Sequence, residues 1–315
     1  MSFITYFLSE SYTTVQSLGD RLGDVKEMLD WSQFVPLISP LFHDDRTAGG
    51  RPHTDEILLM KMLVIQQWYN LSDYALEKEC NDRISFRHFL DYPDRIPDRT
   101  TIWKFRERLI SHNAEEAIWC ELQRQLDACE LRITRGIIQD ATFITSDPGH
   151  APANKCRGKE AQTRRSKEGT WAKKGNKSFF GFKSHIAVDK EHILIRRIET
   201  TTASVHDSQI DLSKEGETVY RDKGYFGVKP KASMDKTMRR AVRNKPLSEK
   251  DKRRNKAISK VRSRVEYPFA VIKRTFHGGH QLVTTVKRVH IKNLFSSFSF
   301  NLFRLDTILK SKNGG

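Results

Sequence analysis

No stretch of the 315-residue sequence is apolar for long enough to cross a bilayer, and no lipidation motif is present. A membrane partner is therefore not expected. The opening residues, MSFITYFLSESYT, lack the basic segment that begins a secretory signal, which points to the cytoplasm, in association with the nucleoid. Cysteine is scarce: Cys80, Cys120, Cys129 and Cys156 are the four, and no two form a CxxC pair. That excludes a disulfide framework and a zinc knuckle, and suits reduced cytosolic thiols. Acidic residues are the deficient charge. The sequence holds 39 Asp and Glu against 55 Lys and Arg, a net charge of +16 and a pI near 9.7. Such an excess fits a polyanion, nucleic acid first, because phosphate contacts release counterions. The length allows one large domain or two ordinary ones.

The first part of the chain reads as helical. Residues 1–48 form a lead-in, with apolar periodicity from Asp24 to Leu41 broken by Pro36 and Pro40. Gly49, Gly50 and Pro52 punctuate the chain. Thr54 then caps a helix from Asp55 to Trp68, with Ile57, Leu58, Met62, Ile65 and Trp68 on its apolar face. Ser72 and Asp73 open a second helix through Cys80, and a short helical turn follows at Ser85–Leu90. Asp98 or Thr100 caps a basic helix carrying Thr101, Lys104, Arg106 and Arg108. The outline is that of a helix-turn-helix domain, whose last helix enters the major groove, or of a plain helical bundle. Asn113–Glu130 is an amphipathic connector, so a helical DNA-binding domain is expected over residues 1–130.

Beyond Leu131 the period becomes that of strands. Leu131–Ile144 reads as a strand with Asp140 at its end. Residues 145–178 are rich in Gly, Lys, Arg, Pro and Ser and form a long basic loop. In it Trp171 sits near Lys173, Lys174 and Lys177, either to stack on a base or to pin the loop to the core. Phe179–Val188 and Ile193–Thr201 are strands of a hairpin around a turn at Asp189–His192. Ser204–Ser213 reads as a short helix in which His206 and Asp207 are a metal or acid–base pair, or a helix cap. Glu217–Arg221 is a strand that delivers Asp222 at its end, Met238–Arg243 a short fifth strand, and Val289–Leu309 a Phe-rich helix closing the core.

The segment from Ser248 to Thr275 is basic, with one acid, Glu266, in its second half. Ser248 and Asp251 read as a capping box. On one continuous helix, Lys273 and Glu266 would lie about 20° and 40° around from Arg262, a shared face. Pro268 kinks the helix or marks a fresh start. Alone, the segment reads most simply as a solvated helix with an Arg262–Glu266 ion pair.

Asp140, Asp222 and Glu266 stand out together by position. Carboxylates at neighbouring strand ends of an open sheet converge on one edge, and a packed helix adds a third. Like charges so close require cations, and hard oxygen ligands select Mg²⁺ or Mn²⁺. Two such ions, about 4 Å apart, serve in-line phosphoryl transfer.

The local strings carry a resemblance. GRPHTDEILLMKMLVIQQWYNLSDYALEKE and IPDRTTIWKFRERL, then IIQDATFI, KKGNKSFFGFKSHIAVD, TTASVHDSQ, YRDKGYFG and NKAISKVRSRVEYPFAVIKRTF resemble successive blocks of the DDE transposases of bacterial and archaeal insertion sequences, in particular insertion-sequence family five. The resemblance covers most of the chain. It implies a ribonuclease-H-like α/β core, a mixed sheet flanked by helices, over 131–315, after an all-α helix-turn-helix-like domain. It implies Asp140, Asp222 and Glu266 as catalytic metal ligands for two Mg²⁺ or Mn²⁺ ions, with Arg262 and Lys273 as phosphate clamps. The signature Tyr of many relatives is here Ser259, a departure that puts any contact made by that Tyr in doubt. The implied partners are double-stranded DNA, as element ends and target, and a second copy of the chain on that DNA. The implied reaction is strand cleavage followed by strand transfer. Three rivals stand beside it: a transposase-derived DNA-binding regulator, a metal nuclease without strand transfer, and a structural polyanion-binding protein.

Overall fold

The computed structural model describes residues 3–42, 53–149, 166–243 and 246–313. The chain divides into two compact units, one of residues 1–130 with 294–315 and one of residues 131–293. The sequence expectation gave everything after residue 130 to the second unit. The last helix instead contributes to both.

The first unit is all-helical. It contains α1 (Phe3–Ser17), α2 (Arg21–Lys26), α3 (Val35–Ile38), α4 (Glu56–Trp68), α5 (Asp73–Asp82), α6 (Ile84–Phe89), α7 (Arg99–His112) and α8 (Glu115–Ala128). The continuous helix expected over Asp24–Leu41 is broken into short turns, because Asp30 caps a 3₁₀ turn at Trp31–Phe34 and Pro36 and Pro40 each begin a new one. Helix α4 starts on Asp55, not Thr54, whose neighbour's carboxylate accepts the Leu58 N–H at 2.7 Å. Its side chains are buried on every side from Leu58 to Trp68, so it is the axis of the unit rather than a one-faced surface helix. Phe295 and Phe298 of the last helix complete the aromatic core with Trp31 and Phe34. Ser72 caps α5 as expected, and of the two candidates Asp98 and Thr100 it is Asp98 that caps α7.

Arg106 departs from expectation. It faces inward from α7, 8% exposed, with Nη1 and Nη2 each 2.6 Å from an oxygen of Asp73 and Nη1 2.8 Å from Gln66 Oε1. Its donors are spent on α5 and α4, so it clamps three helices rather than offering a free guanidinium to a partner.

The second unit is a seven-stranded mixed sheet with helices packed on it, the ribonuclease-H-like arrangement. Its strands are β1 (Ile137–Ser146), β2 (Thr170–Lys174), β3 (Lys177–Asp189), β4 (Ile195–Thr202), β5 (Thr218–Arg221), β6 (Met234–Thr237) and β7 (His280–Gln281). β1 lies antiparallel to β3, and β3 is antiparallel to β2 and to β4. β5 is parallel to β1 and to β6. Gly136 admits the close approach of β1 to β5: φ is +90°, and a Cβ there would lie 2.4 Å from the Thr218 carbonyl oxygen.

Several sequence expectations shift here. Part of the predicted basic loop is ordered: Thr170–Lys174 pairs with Lys177–Gly181 across Gly175 and Asn176, while residues 150–165 lie outside the described residues. The expected helix at Ser204–Ser213 is only a 3₁₀ turn at Asp207–Gln209, since Gln139 reaches across to bond the Ile210 carbonyl and the Leu212 N–H and holds the chain extended. The fifth strand is Met234–Thr237 rather than Met238–Arg243, because Asn255 bonds the backbone of Arg239 and draws it off the sheet.

The segment after Ser248 is four pieces, not one helix. Helix α9 (Glu249–Arg262) opens on the predicted Ser248–Asp251 box. A 3₁₀ turn (Ser263–Val265), α10 (Glu266–Ala270) and a π-helical stretch (Val271–Thr275) follow. Pro268 withholds an amide, and the winding changes on either side of it. The 100° bookkeeping therefore fails between Arg262 and Lys273. The last helix, α11 (Val286–Asn313), overruns its predicted ends.

Arg106→Ala is expected to destabilise the helical unit by roughly 3 kcal/mol, because Asp73 and Gln66 lose their partner in a largely buried setting. Arg106→Lys should recover little, lacking the planar fork. Urea unfolding followed by circular dichroism reads both. Unchanged stability with weakened DNA binding would return Arg106 to the DNA surface.

Candidate active site

The register of β1 on β5 assembles the site. Ile137 pairs with Val219 and Ile138 with Tyr220, so β1 and β5 run side by side toward Asp140 and Asp222, and the charge of Asp222 acts on Asp140. Asp140 does not end its strand, as expected, because β1 continues to Ser146 on its β3 side. What ends at Ile138 is the ladder to β5. β7 takes up that edge again only at Thr145, which leaves Asp140 at a gap in the edge. Asp222 follows the last residue of β5 and caps the 3₁₀ turn Lys223–Tyr225 by accepting the Gly224 N–H at 2.6 Å.

Arg262, the last residue of α9, enters at this gap. Its Nη1 lies 2.5 Å from Asp140 Oδ2, and Asp140 Oδ1 accepts the Ala141 N–H at 2.9 Å. The Arg262–Glu266 ion pair of the simpler reading does not form; Arg262 holds Asp140 instead. Burial pushes the Asp140 carboxyl up to about 6, against the pull of Arg262 and the Ala141 amide, and with a further push from Asp222 and Asp207. Glu266, one turn past Arg262, is exposed and bonded to nothing among the described residues. No group of three His, Cys, Asp or Glu with metal-holding geometry occurs among the described residues. The structure thus brings together Asp140, Asp222 and Arg262, and leaves Glu266 outside that group. The donor set that fits a hard cation here is the aspartate pair.

Asp207 was noticed as a His–Asp pair but not as part of this centre. Its turn packs against the Lys223–Tyr225 turn, and its charge acts on Asp140. Lys183 holds it, with Nζ 2.8 Å from Asp207 Oδ1 and 2.7 Å from the Val205 carbonyl. A lysine within the otherwise buried strand β3 was the available signal. His185, two residues on, is fully buried and bonds Thr201 at 2.9 Å; burial lowers it to about 4, so it is neutral.

The residues expected to contact phosphate are divided between the two units. On the sheet unit, Lys173, Lys174 and Lys177 are exposed on the β2–β3 hairpin. Trp171 packs on the sheet, its ring 5.2 Å from that of Phe180, and is still 55% exposed. Lys273 is half-buried, has no bonded partner among the described residues, and is pushed down by burial and then by Lys174, which places those two cations near each other. On the helical unit, Lys104 and Arg108 are exposed on α7, Arg108 over the Phe42 ring, and Thr101 is half-buried at the capped start. Trp103, 46% exposed beside Lys104, belongs to the same surface.

The pH behaviour of Asp140 gives a test. A carboxyl raised from 3.8 to about 6 on folding lends stability that is full below pH 3.8 and lost as pH rises through 6. In chelator-containing buffer, Asp140→Asn should therefore gain on the wild type between pH 4 and pH 7, by about 5 °C in Tm. A constant difference across that range would show that the carboxyl is not raised.

Comparison with known families agrees with this geometry. Residues 10–108 match the family described as Transposase domain (DUF772), and residues 132–302 match Transposase DDE domain. No solved structure matches the chain. The second match contains Asp140, Asp222, Arg262 and Glu266, spans the whole sheet, and by itself covers more than half of the chain. The chain belongs to the DDE transposases, a family that cleaves and recombines DNA and is in general metal-dependent.

Proposed function

We propose that this chain is the transposase of an insertion sequence of family five, binding the ends of its element and catalysing DNA strand cleavage and strand transfer. The observation that carries the reading is Asp140 at the gap in the β1 edge, within reach of the charge of Asp222 and bonded to Arg262 of α9. In the first step water cleaves a phosphodiester at the element's end, leaving a 3′-hydroxyl and a 5′-phosphate. In the second that hydroxyl attacks a target phosphodiester and displaces its 3′-oxygen, so phosphodiester bonds are exchanged without a high-energy cofactor.

Asp140 and Asp222, with Glu266 as the third carboxylate, are the residues that would hold Mg²⁺ or Mn²⁺, which supplies polarisation of the attacking and leaving oxygens. Asp140 must be ionised for this role. Arg262 favours that form, and burial opposes it. The Arg262 guanidinium is also a donor for the scissile phosphate once Asp140 is otherwise engaged. Lys273 and Lys174 offer point charges to the flanking backbone, and Lys173 and Lys177 extend that track along the hairpin. On the helical unit, α7 is the reading helix, with Thr101, Lys104 and Arg108 toward the duplex. Two element ends must be held together, so a dimer on DNA is part of the proposal.

One observation favours a second reading. Glu266 stands apart from the aspartate pair, as it would in a transposase-derived DNA-binding protein that no longer cuts. The inverted repeats flanking the gene, used as substrate, separate the two. Under the proposal the wild type nicks that DNA with Mg²⁺ and joins it to a target, whereas Asp140→Asn, Asp222→Asn and Glu266→Gln each bind it but do not cut. Full cleavage by any one of the three removes that residue from the centre, and binding without cleavage by the wild type supports the second reading. A separate measurement addresses the hairpin. Lys173→Ala with Lys174→Ala should reduce the slope of log affinity against log salt by about 1.8. An unchanged slope would mean that the hairpin does not touch the backbone.

A further inference from the structure

Two residues before Glu266 stands a cation that none of the chemistry above employs. Arg264 lies in the middle of the 3₁₀ turn Ser263–Val265 and is exposed, and its place in a basic segment gives it the outline of one more phosphate contact. Its guanidinium is instead engaged within the fold. Nη1 donates to the Lys190 carbonyl at 2.5 Å and Nη2 to the Glu191 carbonyl at 3.2 Å, across separations of 74 and 73 residues. A planar fork set on two successive carbonyls fixes direction as well as distance.

The acceptors belong to a well-built frame. Both lie in the turn between β3 and β4, which is organised by Asp189, 1% exposed. That carboxylate accepts the amides of Glu191 at 3.1 Å, His192 at 2.5 Å and Leu194 at 3.0 Å. The Lys190 amide donates to the Gly136 carbonyl at 2.9 Å, at the entry to β1. The Lys190 ammonium reaches Tyr220 Oη at 3.2 Å, on β5 and two residues before Asp222. The turn that receives Arg264 is therefore tied to both strands that lead to the aspartates.

The 3₁₀ turn is thus held at two points. Arg262 bonds Asp140 at its start, and Arg264 bonds the β3–β4 turn from its middle. Val265 beside it is fully buried, but an apolar contact is non-directional and sets depth rather than rotation. The paired bonds of Arg264 supply the rotation. Glu266 opens the next helix without a bonded partner of its own among the described residues, so its placement is inherited from this turn.

We propose that Arg264 is a positioning residue for Glu266, referring the third carboxylate to the same frame as Asp140 and Asp222. The inference rests on the DNA-cleaving reading, in which the three carboxylates share a cation. The probe is Mn²⁺ alone, its binding to the full-length protein read from the paramagnetic resonance of the free ion. Arg264→Ala should weaken that binding roughly fivefold, the size of one hydrogen bond. Arg264→Lys, which keeps the charge but not the fork, should fall between Arg264→Ala and the wild type. In a Glu266→Gln background Arg264→Ala should cost nothing further, because the carboxylate it places is gone. In chelator-containing buffer, amide exchange across residues 265–270 should quicken in Arg264→Ala while that of α9 stays as in the wild type. An Arg264→Ala protein with wild-type Mn²⁺ affinity overturns the proposal even where exchange quickens, and so does a loss that adds to that of Glu266→Gln. Wild-type Mn²⁺ affinity in Glu266→Gln would remove Glu266 from the metal centre and this inference with it, whereas a weakened Glu266→Gln beside an intact Arg264→Ala overturns the role of Arg264 alone.

Discussion

The contact between Arg262 and Asp140 is the constraint on which the sheet unit turns. Asp140 lies where the β1–β5 ladder has stopped, and burial alone would favour its neutral form. The rise to about 6 amounts to about 3 kcal/mol against the charged carboxylate even with the guanidinium in place. Arg262 is thus a partial remedy. It also fixes the end of α9 against β1, and through α9 the turn that follows. The same ion pair sets both the electrostatics of the first aspartate and the origin from which Glu266 is displaced along the chain.

How much of this was readable in advance depends on the distance over which each feature is determined. The caps at Ser72, Asp98 and Ser248 are local, set by one side chain and an amide two or three residues away, and the sequence expectation named them correctly. The β3–β4 hairpin is equally local, because Asp189 gathers the amides of its own turn, at 3.0 Å for Leu194. Strand placement after Asp222 was not local. Whether Met234–Thr237 or Met238–Arg243 joins the sheet depends on Asn255, sixteen residues or more away, claiming the backbone of Arg239.

Arg106 and Asp207 fail in opposite directions for one reason. On composition Arg106 belongs to a basic helix and Asp207 to a polar turn. Only the packed arrangement shows that Asp73 and Gln66 surround the first, and that Lys183 leads the second toward the aspartates. The assumption of uniform helical winding failed too. Arg262 and Lys273 share a face only if the chain between them turns 100° at each residue, and Pro268 introduces a 3₁₀ turn on one side and π winding on the other. Sequence periodicity registers polar and apolar alternation. It carries no record of which donor a distant carboxylate will take.

The change of winding bears on Glu266 itself. Three carboxylates drawn to one edge repel unless positive charge is shared among them, and in this arrangement the nearest guanidinium is committed to Asp140. Asp222 offsets part of its charge through the Gly224 amide, but among the described residues Glu266 has neither amide nor cation and stays in solvent. Pro268 lies inside α10, between a 3₁₀ turn and a π-helical stretch. A segment wound as 3₁₀, then α, then π holds fewer of its preferred hydrogen bonds than a continuous α-helix of equal length, so a modest rewinding can rotate the glutamate without unseating α9. Under the proposed function Glu266 joins the two aspartates only when a cation is supplied, and such a segment suits that role better than a rigid helix, which would force the three together and leave their repulsion within the fold.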